Sequence, residues 1–272
     1  MRLQKSWGRA ASACAMVWVV ASGSGAFAQT SGPPVLSTDE IIAKHIAARG
    51  GLEALHAIHT LRMTGSLRIS GLDAQVAYEE DIARPASVRI DVTLQGLTAV
   101  QAYDGKTGWQ IQPFQGRKDP ETLSSDDAKS LQEEADFEDP LIDAKDKGAV
   151  IENLGVQQVD GGPAYALRVT LKNGDQQTYY LDPDAWLAFR VETRQILRGS
   201  EQVSVTDLGD YEKVAGVYFP FEVTSGPKGQ PPQQTISYAK IEANPALDPA
   251  IFQPPAGAKT GGPAPAAGEN KK

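Results

Sequence analysis

Cysteine is all but missing from this chain of 272 residues: the single one, Cys14, lies inside the N-terminal apolar run. A lipoprotein leader carries its cysteine after that run, so lipid anchoring through Cys14 is not expected. Arg2, Lys5 and Arg9, the apolar stretch Ala10–Ala21 and the small residues around Ala26-Phe27-Ala28 have the order of a secretory signal peptide covering 1–28. Once it is removed no cysteine remains, which excludes disulfides, thiol nucleophiles and cysteine-ligated zinc. The hydrophobic core alone must hold the fold.

Long hydrophobic runs are missing as well. Nothing after the leader approaches the ~20 apolar residues that a membrane-spanning helix needs, so the mature chain is expected to be periplasmic or secreted, with no transmembrane segment. Positive charge is scarce: without Arg2, Lys5 and Arg9 there remain 23 Lys and Arg against 34 Asp and Glu, a net charge of −11. Such a surface argues against nucleic acid and anionic membranes as partners.

Residues that carry chemistry are few. Histidine occurs three times, as His45, His56 and His59. His56 and His59 can share a helical face, but no HExxH motif surrounds them and Glu53 is a lone, generic carboxylate beside them. No GxSxG elbow occurs in the mature chain. Gly105-Lys106-Thr107 looks like the end of a phosphate loop, yet Val100 stands where the first glycine belongs and no helix follows. The acidic cluster Glu133, Glu134, Asp136, Glu138 and Asp139 matches no calcium-loop spacing and reads as a solvated helix end. Asp182 and Asp184 flank a proline turn. The expectation is no catalytic residue, no metal and no cofactor, hence a protein that is not an enzyme; an exported hydrolase using one of the histidines is the weakest reading.

What the chain does have is alternation. In Ala164–Gln195, Tyr165, Leu167, Val169 and Leu171 alternate with Ala166, Arg168, Thr170 and Lys172, the period of a half-buried strand. Asn173-Gly174-Asp175 is a hairpin signal, because asparagine and glycine tolerate positive φ. Gln176–Leu181 returns, Asp182-Pro183-Asp184 turns again, and Leu187, Phe189 and Val191 are expected to continue one apolar face. The same period runs through Leu61–Ser70, Ala74–Ile82, Val88–Leu94, Leu97–Tyr103 and Trp109–Phe114, then Val150–Gln157, Glu201–Leu208, Val217–Thr224 and Gln234–Ile241. In Val217–Val223 the inward set is Val217, Phe219, Phe221 and Val223.

Helices interrupt this in two places. Ser37 and Glu40 have capping-box spacing, and the helix they start is expected to bury Ile41, Ile42 and Ile46 and to stop at Gly50-Gly51. A second helix is expected from Ser124-Ser125-Asp126-Asp127 to about Phe137, with Ala128, Leu131 and Ala135 inward, followed by a helical or irregular piece to Lys147. The fold class predicted is mainly β (α+β): one open, strongly curved antiparallel sheet of about eleven or twelve strands with helices on its apolar face.

The helix ending in Gly50-Gly51, the Asp104-Gly105…Trp109 hairpin with Pro113-Phe114, the Tyr180-Leu181-Asp182-Pro183 turn and Tyr211…Gly216-Val217-Tyr218-Phe219-Pro220 together resemble the outer-membrane lipoprotein-sorting proteins, the LolA/LolB-like periplasmic carriers. The resemblance covers roughly Asp39–Phe252. It implies an incomplete β-barrel of about eleven strands with a helical lid at 38–252; composition adds a Pro/Gly linker at 29–37 before it and a disordered Pro/Ala/Gly tail at 253–272 after it. It implies further that acyl chains of lipids or lipoproteins are carried between sheet and lid, that an inner- or outer-membrane protein exchanges them, and that an arginine closes the lid, Arg49 and Arg62 being near the right place. The missing anchor cysteine points to a soluble carrier; a periplasmic sensor or interaction module on the same fold is the alternative. The cavity-lining candidates are Leu67, Ile69, Val88, Ile90, Trp109, Leu167, Val169, Trp186, Leu187, Phe189, Val191, Phe219 and Phe221.

Overall fold

The chain, as a computed structural model, is described over residues 33–197 and 199–260. The expected leader with Cys14, and residues 261–272, lie outside the described residues. Six strands form a first meander: β1 (Thr60–Ile69), β2 (Val76–Ala83), β3 (Ser87–Leu94), β4 (Leu97–Tyr103), β5 (Gly108–Gln112) and β6 (Arg117–Thr122). Seven more form a second: β7 (Val150–Val159), β8 (Gly162–Thr170), β9 (Gln176–Leu181), β10 (Ala188–Leu197), β11 (Ser200–Val214), β12 (Val217–Pro227) and β13 (Gln234–Ala243). β13 folds back to pair with β1, so the two meanders fuse into one sheet ordered β6 to β1, then β13 to β7. The two-residue strand β14 (Lys259–Thr260) adds in parallel to β6. Among the described residues β7 and β14 are the free ends of the sheet, which is therefore an open barrel.

β6 and β14 went unforeseen, and both have a physical reason. Arg117–Thr122 is polar throughout and contains Pro120, which a strand tolerates only where its N–H is not needed by a neighbour. Lys259–Thr260 falls in the stretch expected to be a disordered tail from Gln253, yet it pairs with Glu121 and Thr122.

Helix α1 (Thr38–Arg49) begins on the capping box: the Ser37 amide donates to the Glu40 carboxylate at 2.8 Å, and the Glu40 amide donates back to Ser37 Oγ. It ends at Gly50, where φ is +125° and a Cβ would come within 2.2 Å of the Gly216 carbonyl oxygen. Only glycine allows the helix to lie this close to the β11–β12 hairpin. Its fully inward residues are not the expected Ile41, Ile42 and Ile46 but Ile41, His45 and Arg49, spaced by four; Ile42 and Ile46 are half-buried. Helix α2 (Leu52–His56) follows, and α3 (Lys129–Glu134) is shorter than expected, with Ala128, Leu131 and Ala135 buried as the periodicity requires.

Two apolar clusters join helices to the concave face. Leu55, Ile58, Leu131 and Ile142 pack on Leu61, Ile82, Val88 and Phe219. Ile41 and Leu141 pack on Tyr165, Leu167, Val169, Leu181 and Val191. At roughly 1.5–3 kcal/mol for each fully buried large aliphatic or aromatic side chain, these two clusters hold most of the helical segments to the sheet.

A latched mouth and an acidic chamber

The topology dictates where the lid must be. β6 and β7 lie toward opposite ends of the sheet, so the connection 123–149 has to cross the open mouth between them. That connection carries α3 and the acidic cluster, which is not a solvated face. Asp139 meets α1: Arg49 Nη1 donates to Asp139 Oδ2 at 2.8 Å, and His45 Nε2 lies 3.2 Å from the same oxygen. Arg49 Nε also donates to the Tyr218 carbonyl at 3.0 Å, so one guanidinium ties helix, crossing segment and β12 together. His45 is wholly buried, and its Nδ1 faces the Trp186 carbonyl at 2.8 Å. A carbonyl only accepts, so Nδ1 carries hydrogen, and the Asp139 contact is attractive when Nε2 carries one too. Burial pushes the Asp139 carboxyl up, but His45, Arg49 and the Leu141 amide outweigh it and hold the group below its usual value.

A second set of ion pairs fastens the same segment at the α2 end. Arg84, just after β2, donates to both oxygens of the buried Glu138 and to the carbonyls of Leu55 and Ile58. Lys147 pairs with Asp136 at 2.6 Å, and His56 Nε2 with Asp143 at 2.7 Å. His56, Glu138 and Asp143 place ligand atoms within 4.8 Å of one another, the spacing of a metal site. Both Glu138 oxygens are already engaged by Arg84, so this donor set is an ion-pair clasp with a poor claim on a cation. His59 takes no part; its amide donates to Asn244. Of the two arginines near the expected lid-closing position, Arg49 crosses the mouth, whereas Arg62 forms a two-bond pair with Asp81 within the β1–β2 strand pair.

Beyond the latch the concave face carries a further apolar cluster. Leu67, Val76 and Tyr78, with Ile90, Val92, Leu94, Ile236 and Tyr238 beside them, form a cluster whose members all come from strands. At its rim Ile69 and Leu97 are 40% and 45% exposed. Glu80 lies in this apolar wall, fully buried, because it follows Tyr78 on the inward register of β2. Its Oε2 accepts from the hydroxyls of Tyr78 and Tyr238, each at 3.0 Å, while Oε1 makes no hydrogen bond. Burial, and then the neighbouring Glu134 carboxyl, push Glu80 well above the carboxylate range. Glu134, next to it, is raised as well, by desolvation. On the other side of α3, Glu133 accepts from Gln177 of β9 at 3.0 Å and is pushed up to about 6, chiefly by burial and then by Asp175.

The cavity candidates divide among several places. Leu67 and Ile90 belong to the strand-only strip, and Ile69 to its rim. Val88, Phe219 and Phe221 pack under α2 and α3, while Leu167, Val169 and Val191 pack under α1. Trp186 stacks on Tyr165 at 4.9 Å with Lys44 above it, and Leu187 beside it is half-buried. Two candidates are on the wrong face. Trp109 packs on Val100 and Ala102, which alternate with the inward Tyr103, and its indole N–H donates to the Phe252 carbonyl at 2.8 Å: it is covered from outside by the C-terminal turn Pro249–Phe252. Phe189 packs with Ala164, Ala166 and Tyr180, opposite to Val191, because a bulge between Ala188 and Arg190 shifts the alternation by one. Sequence reasoning missed Glu80, Tyr238 and the role of His45, and it read Asp139 as part of a solvated face.

A crossed mouth over a curved thirteen-strand antiparallel sheet defines the class: the LolA-like open barrel. In particular, the fold is that of a LolA superfamily protein from Nitrosomonas europaea, with a TM-score of 0.54 at 11% identity, over 80% of this chain and 98% of that one. It is equally similar to a protein domain from Vibrio parahaemolyticus described as outer membrane lipoprotein-sorting, with a TM-score of 0.53 at 12% identity, over 79% and 97% of the two chains. At such identities the likeness concerns the fold. No protein-family model matches the sequence, and no curated protein matches it either. No helix among the described residues is long and apolar enough to cross a membrane.

Proposed function

We propose that the protein is a non-enzymatic, exported binding protein that takes the hydrocarbon part of a lipid or lipoprotein onto the strand-only strip of β1–β3 and β13, beside the latched crossing segment. One observation carries the reading: Leu67, Val76, Val92, Leu94 and Ile236 form an apolar wall on the concave side that is built from strands alone. Leu67 and Val76 are buried at the centre of this wall, while Ile69 and Leu97 at its rim are 40% and 45% exposed, an apolar edge of the kind that marks a binding surface. Each methylene moved from water onto such a wall contributes about 0.8 kcal/mol, enough for a long chain to bind without covalent chemistry.

The leader-like N-terminus and the likeness to lipoprotein-sorting folds support a periplasmic setting, in which a membrane protein supplies or receives the ligand. The latch suits exchange, since Arg49–Asp139 and Arg84–Glu138 are the contacts that must part for the crossing segment to lift. The test is native mass spectrometry of the mature protein purified from periplasm, with extraction of whatever comes with it. The reading expects adducts of lipid mass that organic solvent removes. Protein that is empty and refuses a fluorescent acyl probe would end it.

A further inference from the structure

The strip ends on a buried acid, Glu80, whose second oxygen meets another carboxyl, Glu134, and no nitrogen or hydroxyl donor. Glu80 Oε2 is occupied by two phenol hydroxyls, and Oε1, just as buried, makes no hydrogen bond. An unpartnered buried oxygen of this kind is unfavourable until a donor reaches it. The second carboxyl of the pair, Glu134, stands in solvent-accessible space beside it. No Lys or Arg of the described residues forms an ion pair with either, whereas Asp136, Glu138 and Asp139 on the same crossing segment each have one.

A cleft adjoins this acid through Tyr238. β12 and β13 are paired only from Glu222↔Ser237 to Ser225↔Gln234 and diverge beyond. At the divergence lies a half-open cleft of about 430 Å³ lined by Asp210, Tyr211, Glu212, Phe221, Glu222 and Tyr238. Tyr238 belongs to both places: it lines the cleft, and its hydroxyl holds Glu80. The three carboxylates at the cleft, Asp210, Glu212 and Glu222, attract positive charge and repel anionic head groups.

We propose that the ligand is an amphiphile bearing an ammonium group, its chain on the Leu67–Ile236 strip and its ammonium donating to Glu80 Oε1 and Glu134. An ammonium supplies three donors and one charge, which suits two carboxyl groups with an open acceptor. The inference rests on the acyl-binding reading and narrows it: free fatty acids and phosphate-only head groups are disfavoured.

Dodecylamine, dodecanol, dodecanoate and butylamine, titrated against the full mature protein at neutral pH, separate the two ideas. Dodecylamine is expected to bind at least tenfold more tightly than dodecanol, with dodecanoate weakest and butylamine undetected. In Glu80→Gln, checked for folding by circular dichroism, the amine is expected to lose its advantage while dodecanol binds as before. Glu134→Gln, at an open position, gives the same comparison should Glu80→Gln not fold. Equal affinity for amine and alcohol, or a preference that survives both substitutions, overturns the head-group assignment and leaves acyl binding standing. Butylamine as tight as dodecylamine identifies a free amine as the ligand and also overturns it. Failure of every dodecyl compound removes both.

Discussion

Arg49 and Asp139 are ninety positions apart in sequence and 2.8 Å apart in space, joining the last turn of the first helix to the segment that crosses the barrel mouth. Both side chains are largely buried, and a partner removed from a buried pair leaves the other charge stranded at a cost of about 3–5 kcal/mol. Asp139→Asn is therefore expected to lower unfolding stability by several kcal/mol in urea and to speed release of a bound acyl probe. An Asp139→Asn protein within 0.5 kcal/mol of wild type, with unchanged release, would show that the pair is no latch.

Gly50 and Gly51 offer a paired test of the helix stop. Both have positive φ, but a Cβ on Gly50 meets the Gly216 carbonyl oxygen at 2.2 Å, whereas one on Gly51 meets nothing within 4 Å. Gly51→Ala should cost about 1 kcal/mol from backbone strain alone, and Gly50→Ala roughly 2–4 kcal/mol because the hairpin must also move. Similar melting temperatures for the two variants would contradict the close approach.

The crossing segment makes stability depend on pH through Glu133. Its folded value of about 6 lies above its ordinary 4.5, so the folded protein binds this proton more tightly than the unfolded chain. The contribution is fully present below pH 4.5 and is lost as pH rises to about 6. After discounting for solvent at this half-buried site it amounts to about 1 kcal/mol. Glu133→Gln should flatten that part of the stability profile and stabilise the protein above pH 6. A profile unchanged by the substitution would place the titration elsewhere.

Trp109 separates the outer face from the inner one. Trp109→Phe removes the N–H that satisfies the Phe252 carbonyl and should cost about 1–2 kcal/mol. Acyl-probe affinity should not change, because the indole lies outside the sheet. A large loss of binding would return Trp109 to the cavity.

Much of the fold was legible because alternation is a direct image of a half-buried sheet: Tyr165, Leu167 and Val169 are inward as their spacing requires. The Ser37–Glu40 capping box and the Gly50-Gly51 stop are local chemistry and were readable for that reason. The bulge before Arg190 was not, since one extra residue leaves no mark in composition and still turns Phe189 to the outside. The site was hidden by polarity. His45 and Arg49 sit four and eight residues after Ile41, on its own helical stripe, but the isoleucines drew the face elsewhere. Glu80 occupies the inward register between Tyr78 and Ile82, where alternation placed it, behind the outward look of a Glu79-Glu80-Asp81 run. The acidic cluster gave no sign that its partners were Arg49, Arg84 and His45, which only the long crossing of the mouth brings near.

The central claim, that hydrocarbon lies on the strand-only strip, is tested most directly by photo-cross-linking. A long-chain alcohol carrying a diazirine along its chain is bound to the mature protein and irradiated, and the labelled peptides are sequenced. Label on the segments around Leu67–Ile69, Val92–Leu94 and Ile236 is the predicted result. Label confined to the outer face around Trp109 and Phe252, or no specific label at all, would contradict the account.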